Sequence, residues 1–312
     1  MLRVRECVLG LNESIILRCL FKMLEINQVQ GPDGMMALIE DVNQLVSVSD
    51  IYYRLEAAIE NPSSSVQDYA RLLSVDPDLC ARLLRVANSA FYSFAVPVES
   101  VERAIQRVGL RPIRELVLAT TILESFSRQS IPGFDIQQFW THSLAVSVLS
   151  RGIARKCGTT SPDAYLVPGL LHDVGQLVLY LQLPRLMENI NQQQKSDAGL
   201  INQREEHELG YCHAELGGSL LKYWQLPDNL WEPIYHHHNP LWGHEYAHMS
   251  SVLKVSDLMA DSYCAESNTV PDILIEIAEP LKFLGLEIND IDLIWETVRE
   301  DLSDLKLQFR VH

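Results

Sequence analysis

The stretch Gly169-Leu170-Leu171-His172-Asp173-Val174-Gly175 puts an imidazole beside a carboxylate inside a strongly apolar run. Burying two such groups is costly unless something pairs with them, and a divalent cation is a common partner. The question is whether the chain supplies more ligands. Nine of its ten histidines fall between residues 135 and 265, and none lies before that segment.

Apolar stripes at i, i+3/i+4, i+7 mark the helices that must position these groups. One stripe runs Phe139, His142, Val146, Leu149, Ile153. The next runs Leu166, Leu170, Asp173, Leu177, Tyr180, with His172 one step round. Then come Leu209, His213, Leu216, Leu220, Trp224, followed by Leu230, Ile234 and His237 or His238. The last is Leu253, Asp257, Ala260, Cys264. Five predicted helices thus carry a ligand-type side chain where the pattern asks for an aliphatic one. Each has a plainer reading. A single histidine such as His142 or His213 on an apolar face is ordinarily a core residue bonded to a carbonyl. The His236-His237-His238 run before Asn239-Pro240 ends a helix and could simply complement its dipole. Asp257 alone could be an exposed acid. Jointly they point to a metal site, and mixed nitrogen and oxygen ligation suits iron, manganese, zinc, cobalt or magnesium without choosing among them. His207, His244 and His248 fall off the stripes and read as surface residues.

Nearly every other segment also reads as helix, with no strand alternation and no hairpin dipeptide, so the predicted class is all-α. Residues 1–34 read as an amphipathic N-terminal helix over 12–29, which docks on the body or, as the less common alternative, binds a partner, followed by a Gly31-Pro32-Asp33-Gly34 linker. Residues 35–134 form a first helical half. There Ser65-x-x-Asp68 resembles a capping box, and Asp76-Pro77 sets an N-cap before a first-turn proline. Ser100 opens a helix that Gly109 closes, Leu110 to Phe126 continues as another, and 128–134 is a connector. Residues 135–265 are the metal-binding half. Residues 266–312 hold two closing helices, Pro271 to Leu284 and Ile288 to Leu305, packed on the body.

The formal net charge is −16 with pI near 5.0. That opposes nucleic-acid or anionic-membrane binding, and it repels a phosphorylated ligand unless metal ions invert the local field. No 18-residue uncharged apolar run and no secretory leader is visible. Six scattered cysteines without a C-x-x-C pair predict a reduced, cytoplasmic setting.

At the ligand-type residues the sequence resembles the HD superfamily of metal-dependent phosphohydrolases, whose order is H…HD…H…H…D. The matching positions are His142, His172-Asp173, His213, His237-His238 and Asp257. Further stretches resemble the HDOD (HD-related output domain) family. They are Asp76-Pro77-Asp78-Leu79 through Asn88-Ser89-Ala90-Phe91-Tyr92, Ser100-Val101-Glu102-Arg103 through Leu116-Val117-Leu118-Ala119, and His213-Ala214-Glu215-Leu216-Gly217 through Trp224-Gln225-Leu226-Pro227. The resemblance covers roughly residues 45 to 260. It implies an HD-domain, phosphodiesterase-like helical bundle with an added N-terminal helical subdomain. It also implies one or two divalent ions, with His142, His172, Asp173 and Asp257 as the motif core and His213, His237 and His238 holding a second ion. HDOD proteins are bacterial signalling or regulatory modules, many without hydrolysis, so the implied partner is a phosphorylated small molecule or a signalling protein. The alternative the resemblance leaves open is an active metal-dependent phosphohydrolase acting on a phosphomonoester, phosphodiester or nucleotide, in which Asp173 would be the bridging, catalytic carboxylate. Such relatives often read His-Asp-x-Gly-Lys, whereas Gln176 stands here. The Gly-Tyr-Pro element of the HD-GYP cyclic-dinucleotide phosphodiesterases is missing as well.

Overall fold

The computed structural model describes residues 29–89, 92, 96–129, 131, 133–196, 201–264 and 270–308. The helix expected over 12–29 lies outside the described residues except for Val29, and so does His312. Among the described residues there is no strand.

The first half comprises α1 (Gly31–Leu45), α2 (Asp50–Glu60), α3 (Val66–Leu73), α4 (Pro77–Ala87), α5 (Val101–Val108) and α6 (Leu110–Ser127). Their starts follow from local chemistry. Ser65 and Asp68 exchange side-chain and backbone hydrogen bonds in a full capping box. The Asp76 carboxylate accepts from the amides of Asp78 and Leu79, ahead of a first-turn proline. Gly109 breaks α5 from α6 with φ of +102°, a conformation that favours glycine. The Gly31-Pro32-Asp33-Gly34 segment is not a linker. It forms the first turn of α1, where a proline costs nothing because its missing N–H would have had no partner. That helix packs against the second half of the chain. The Trp224 indole N–H donates to Asn43 Oδ1 at 2.8 Å.

The second half comprises α7 (Ile136–Lys156), a 3₁₀ turn at Pro162–Tyr165, α8 (Leu166–Leu171), α9 (Val174–Gln182), α10 (Pro184–Ser196), α11 (Ile201–Leu209), α12 (His213–Tyr223), α13 (Asp228–Tyr235) and α14 (Ala247–Cys264). The chain closes with α15 (Val270–Leu284) and α16 (Ile288–Gln308). The central helix α7 packs on α8, α14 and α16, while α12 packs on α9 and α13. One apolar core runs through both halves, from Leu38 to Leu302. The window Pro162–Gln182 has the length and hydropathy of a membrane span, but 78% of it is buried inside the protein.

Two predicted stripes are each divided between two helices. Leu209 ends α11, Gly210 turns the chain at φ of +80°, and His213 begins α12. More important, the Leu166–Tyr180 run is not continuous. It breaks at His172-Asp173, where Asp173 sits at φ −97°, ψ 13° and serves as N-cap of α9. Consecutive side chains on an unbroken helix diverge by roughly 100°. The break lets His172 and Asp173 face one site.

Two glycines bring the flanking helices close enough. A Cβ on Gly169 would lie 2.7 Å from Ser147 Cα on α7, and one on Gly175 would lie 2.0 Å from the His213 carbonyl oxygen of α12. All these neighbours are backbone, so no side chain can swing away. Gly175→Ala is therefore expected to force α9 off α12, costing about 1–3 kcal/mol or more, as overpacking does. Thermal denaturation of the variant measures this.

Candidate metal centre

Three of the five contributing segments deliver their ligand-type residue at or next to a helix end. His172 and Asp173 come from the α8–α9 break, His213 from the first residue of α12, and His237 and His238 from just past α13. His142 and Asp257 come from the interiors of α7 and α14. All seven sequence-predicted site residues converge, in two groups. His142, His172, Asp173 and Asp257 can each offer an atom within 4.8 Å of the others, and so can His213, His237 and His238.

In the first group, His142 Nε2 lies 3.3 Å from His172 Nε2, 3.1 Å from Asp257 Oδ1 and 3.9 Å from Asp173 Oδ2. His172 Nε2 is 3.3 Å from Asp173 Oδ2 and 3.4 Å from Asp257 Oδ1. The other oxygen of Asp173 faces the second group, with Oδ1 at 3.1 Å from His213 Nε2 and 4.0 Å from His237 Nε2. His238 Nε2 stands 2.8 Å from His213 Nε2. Asp173 thus lies between the groups and turns one oxygen to each.

The histidines are held from behind. His172 Nδ1 donates to the Gly169 carbonyl at 2.8 Å and His237 Nδ1 to the Ile234 carbonyl at 2.7 Å. Since a carbonyl can only accept, Nδ1 carries the proton and Nε2 is turned to the centre. His142 Nδ1 pairs with Asp261 at 3.0 Å. His213 donates both its amide and its Nδ1–H to Glu205 Oε2, at 2.8 and 2.6 Å. Such outer partners orient metal-binding imidazoles and raise their basicity. Glu205 is fully buried on α11. Sequence reading missed it because it sits in the charged run Arg204-Glu205-Glu206-His207-Glu208, which reads as a solvated helix face. Nothing in the local pattern separates Glu205 from its exposed neighbour Glu206.

His248, read as a surface residue, is half-buried instead, and its Nδ1 bonds the Tyr165 hydroxyl at 2.8 Å. His207 and His244 are exposed as expected.

Electrostatics divide the centre. Burial alone would push His172 down, but Asp173 and Asp257 beside it lift it to about 9. His142 and His213 are likewise raised against burial, by Asp257 and Asp261 and by Glu205 and Asp173 respectively. Asp173 and Asp257 are held well below the carboxylate range, despite burial, by His172 and His213 and by His142 and His172 respectively. Burial and the adjacent His172 hold His237 down at about 4. Buried His237 Nε2 has no hydrogen-bond partner, and buried Asp173 Oδ1 has only the His213 Nε2 contact at 3.1 Å. A neutral imidazole nitrogen left bare inside a protein is costly, and both atoms are good ligands. The residues therefore fit a divalent ion of the kind that mixed imidazole and carboxylate sets bind.

One consequence concerns protons. Ligand imidazoles must be neutral to bind metal, and His172 stays charged up to about pH 9 in the metal-free protein. Metal uptake at neutral pH is expected to release protons, and affinity is expected to rise with pH toward 9. Calorimetry in buffers of different ionisation enthalpy reads both.

Residues 45–240 match the sequence model of the HDOD domain family. The chain belongs to the HDOD family. The matched span contains six of the seven site residues, while Asp257 lies beyond it and joins the cluster by geometry. A crystal structure of a Shewanella amazonensis protein named "Putative phosphohydrolase" is 25% identical, with a TM-score of 0.69 over 87% of this chain and 97% of that one. An HDOD domain protein of unknown function from Geobacter sulfurreducens is 24% identical and shares the fold, with a TM-score of 0.66 over 88% of this chain and 98% of that one. An uncharacterized Treponema pallidum protein is 28% identical over 208 residues, which are 64% of this chain and 38% of that protein. The HDOD chain thus spans well under half of that relative's length.

Proposed function

We propose that this HDOD protein is a signalling or regulatory module whose His/Asp centre holds one or two divalent ions and captures a phosphorylated small molecule or signalling partner. The observation that carries the reading is Asp173, whose two oxygens face two separate histidine groups, one of them through a buried atom with no other partner. His142, His172 and Asp257 would complete one position and His213, His237 and His238 the other. When bound, such ions polarise phosphoryl oxygens and lower the pKa of water. The chain's own groups orient the ligand imidazoles through Gly169, Ile234, Asp261 and Glu205. They also supply the two carboxylates that offset the ions' charge.

Binding without turnover is favoured by Gln176. At the position where hydrolytic relatives often carry lysine, its amide donates to Asp173 Oδ2 at 2.9 Å. It steadies the shared carboxylate but brings no positive charge to a phosphoryl transition state. A second reading, hydrolysis of a phosphomonoester, phosphodiester or nucleotide, is supported by the complete ligand set and by its opening into a cavity of about 590 Å³. Asp173 would then be the catalytic carboxylate.

Protein offered manganese, iron or zinc and assayed against a panel of phosphomonoesters, diesters and nucleotides separates the two. Bound metal with ligand binding and no turnover supports the regulatory role. Turnover that Asp173→Ala abolishes establishes the enzyme.

A further inference from the structure

The cavity over the centre is strongly acidic. Beyond the ligands Asp173 and Asp257, it is lined by Asp135, Glu206, Asp261 and Glu276. Among the described lining residues the one lysine or arginine is Lys254. It lies on α14 one turn before Asp257, and Lys254, Asp257, Leu258 and Asp261 form a single i, i+3, i+4, i+7 face of that helix turned to the cavity. One turn is a rise of about 4.5–5.4 Å along the axis, so the ammonium is carried by the same rigid element as a proposed ligand.

The lysine side chain is only 15% exposed, and its Nζ meets Glu276 Oε2 of α15 at 3.4 Å. Immobilising and partly desolvating a lysine costs entropy and hydration. One long contact to a half-exposed carboxylate is a modest return, and it uses one of three N–H donors. At position 176, where hydrolytic relatives often place a cation, Gln176 is engaged with Asp173 instead.

Resting on the metal reading above, we propose that Lys254 is the cation that receives the outer oxygens of a phosphorylated ligand. Glu276 occupies that cation as an internal competitor until the ligand displaces it. The acidic cavity then discriminates. An anion gains entry only where it meets both the ions and Lys254, and α15 sets the threshold through Glu276.

The test is calorimetric titration of inorganic phosphate into the metal-loaded full-length chain, with metal content measured for every variant. Lys254→Met is expected to weaken phosphate binding about tenfold or more, the scale of a lost charge-assisted hydrogen bond. Glu276→Gln is expected to tighten it. The double variant is expected to bind like Lys254→Met, because a competitor matters only while the residue it competes for is present. Metal content should be unchanged throughout. The proposal is overturned if metal-loaded protein does not bind phosphate or ignores Lys254→Met. It is overturned equally if the gain from Glu276→Gln persists without the lysine, which would be a general field effect. Those outcomes leave the metal centre standing, whereas a chain that takes up no metal removes both.

Discussion

Asp173→Asn is expected to strip the protein of bound metal while leaving it folded. The carboxylate offers Oδ2 to the His142–His172 side and Oδ1 to the His213–His237 side. An amide has the same shape but one oxygen, and its nitrogen is no ligand. At most one position keeps an oxygen, and that one is neutral and a weaker ligand, while the charge opposing two cations is halved, since Asp257 is the other carboxylate in the set. Helicity should persist, because the apolar core is untouched and an isosteric side chain leaves no cavity. Removing one partner of a buried ion pair is still expected to lower metal-free stability, by up to about 3–5 kcal/mol. Elemental analysis after gel filtration, beside circular dichroism, reads both effects. Retention of full metal content would show that Asp173 is not shared.

Glu205→Gln is the second large effect, and it falls on a residue that touches no proposed ion. The carboxylate is fully buried and accepts two hydrogen bonds from His213. The amide keeps the size but removes the charge that raises His213. Loss of such an outer partner typically lowers metal affinity about 10–100-fold. The loss should be confined to the His213–His237–His238 position, so a two-site protein becomes a one-site protein at limiting metal. Glu205→Ala also leaves the His213 donors unpaired, and the broken buried pair should cost about 3–5 kcal/mol. Metal titration followed by calorimetry separates the two positions. An equal loss at both would mean that Glu205 acts through the fold and not through His213.

These two residues mark where the sequence was informative and where it was silent. Asp173 stood out because a carboxylate interrupts an otherwise aliphatic stripe, and the same contrast exposed His142, His213 and Asp257. The capping residues Ser65, Asp76 and Ser100 were equally readable, since N-caps depend on a few consecutive residues. Glu205 was invisible because its burial is decided by α11 folding back over α12, a tertiary event with no local signature. The break at His172-Asp173 was hidden for a related reason. From Leu166 to Tyr180 the apolar residues keep helical spacing on both sides of His172-Asp173, so a change of helix direction there leaves no mark in the pattern. Gly31-Pro32-Asp33-Gly34 misled in the opposite sense, since the same residues suit a loop or the first turn of a helix. Lys254 lay on the Asp257 stripe's own helix, yet only the cavity shows which face it shares.

The most direct test is a crystal of the chain grown with manganese, zinc or iron and measured above and below that metal's absorption edge. The metal-centre account predicts anomalous density on at least one side of Asp173, between its carboxylate and the Nε2 atoms of His142 and His172 or of His213 and His237, and its loss in Asp173→Asn. A flat map there, with Asp173 Oδ1 and His237 Nε2 joined only by water or by side-chain hydrogen bonds, would contradict it.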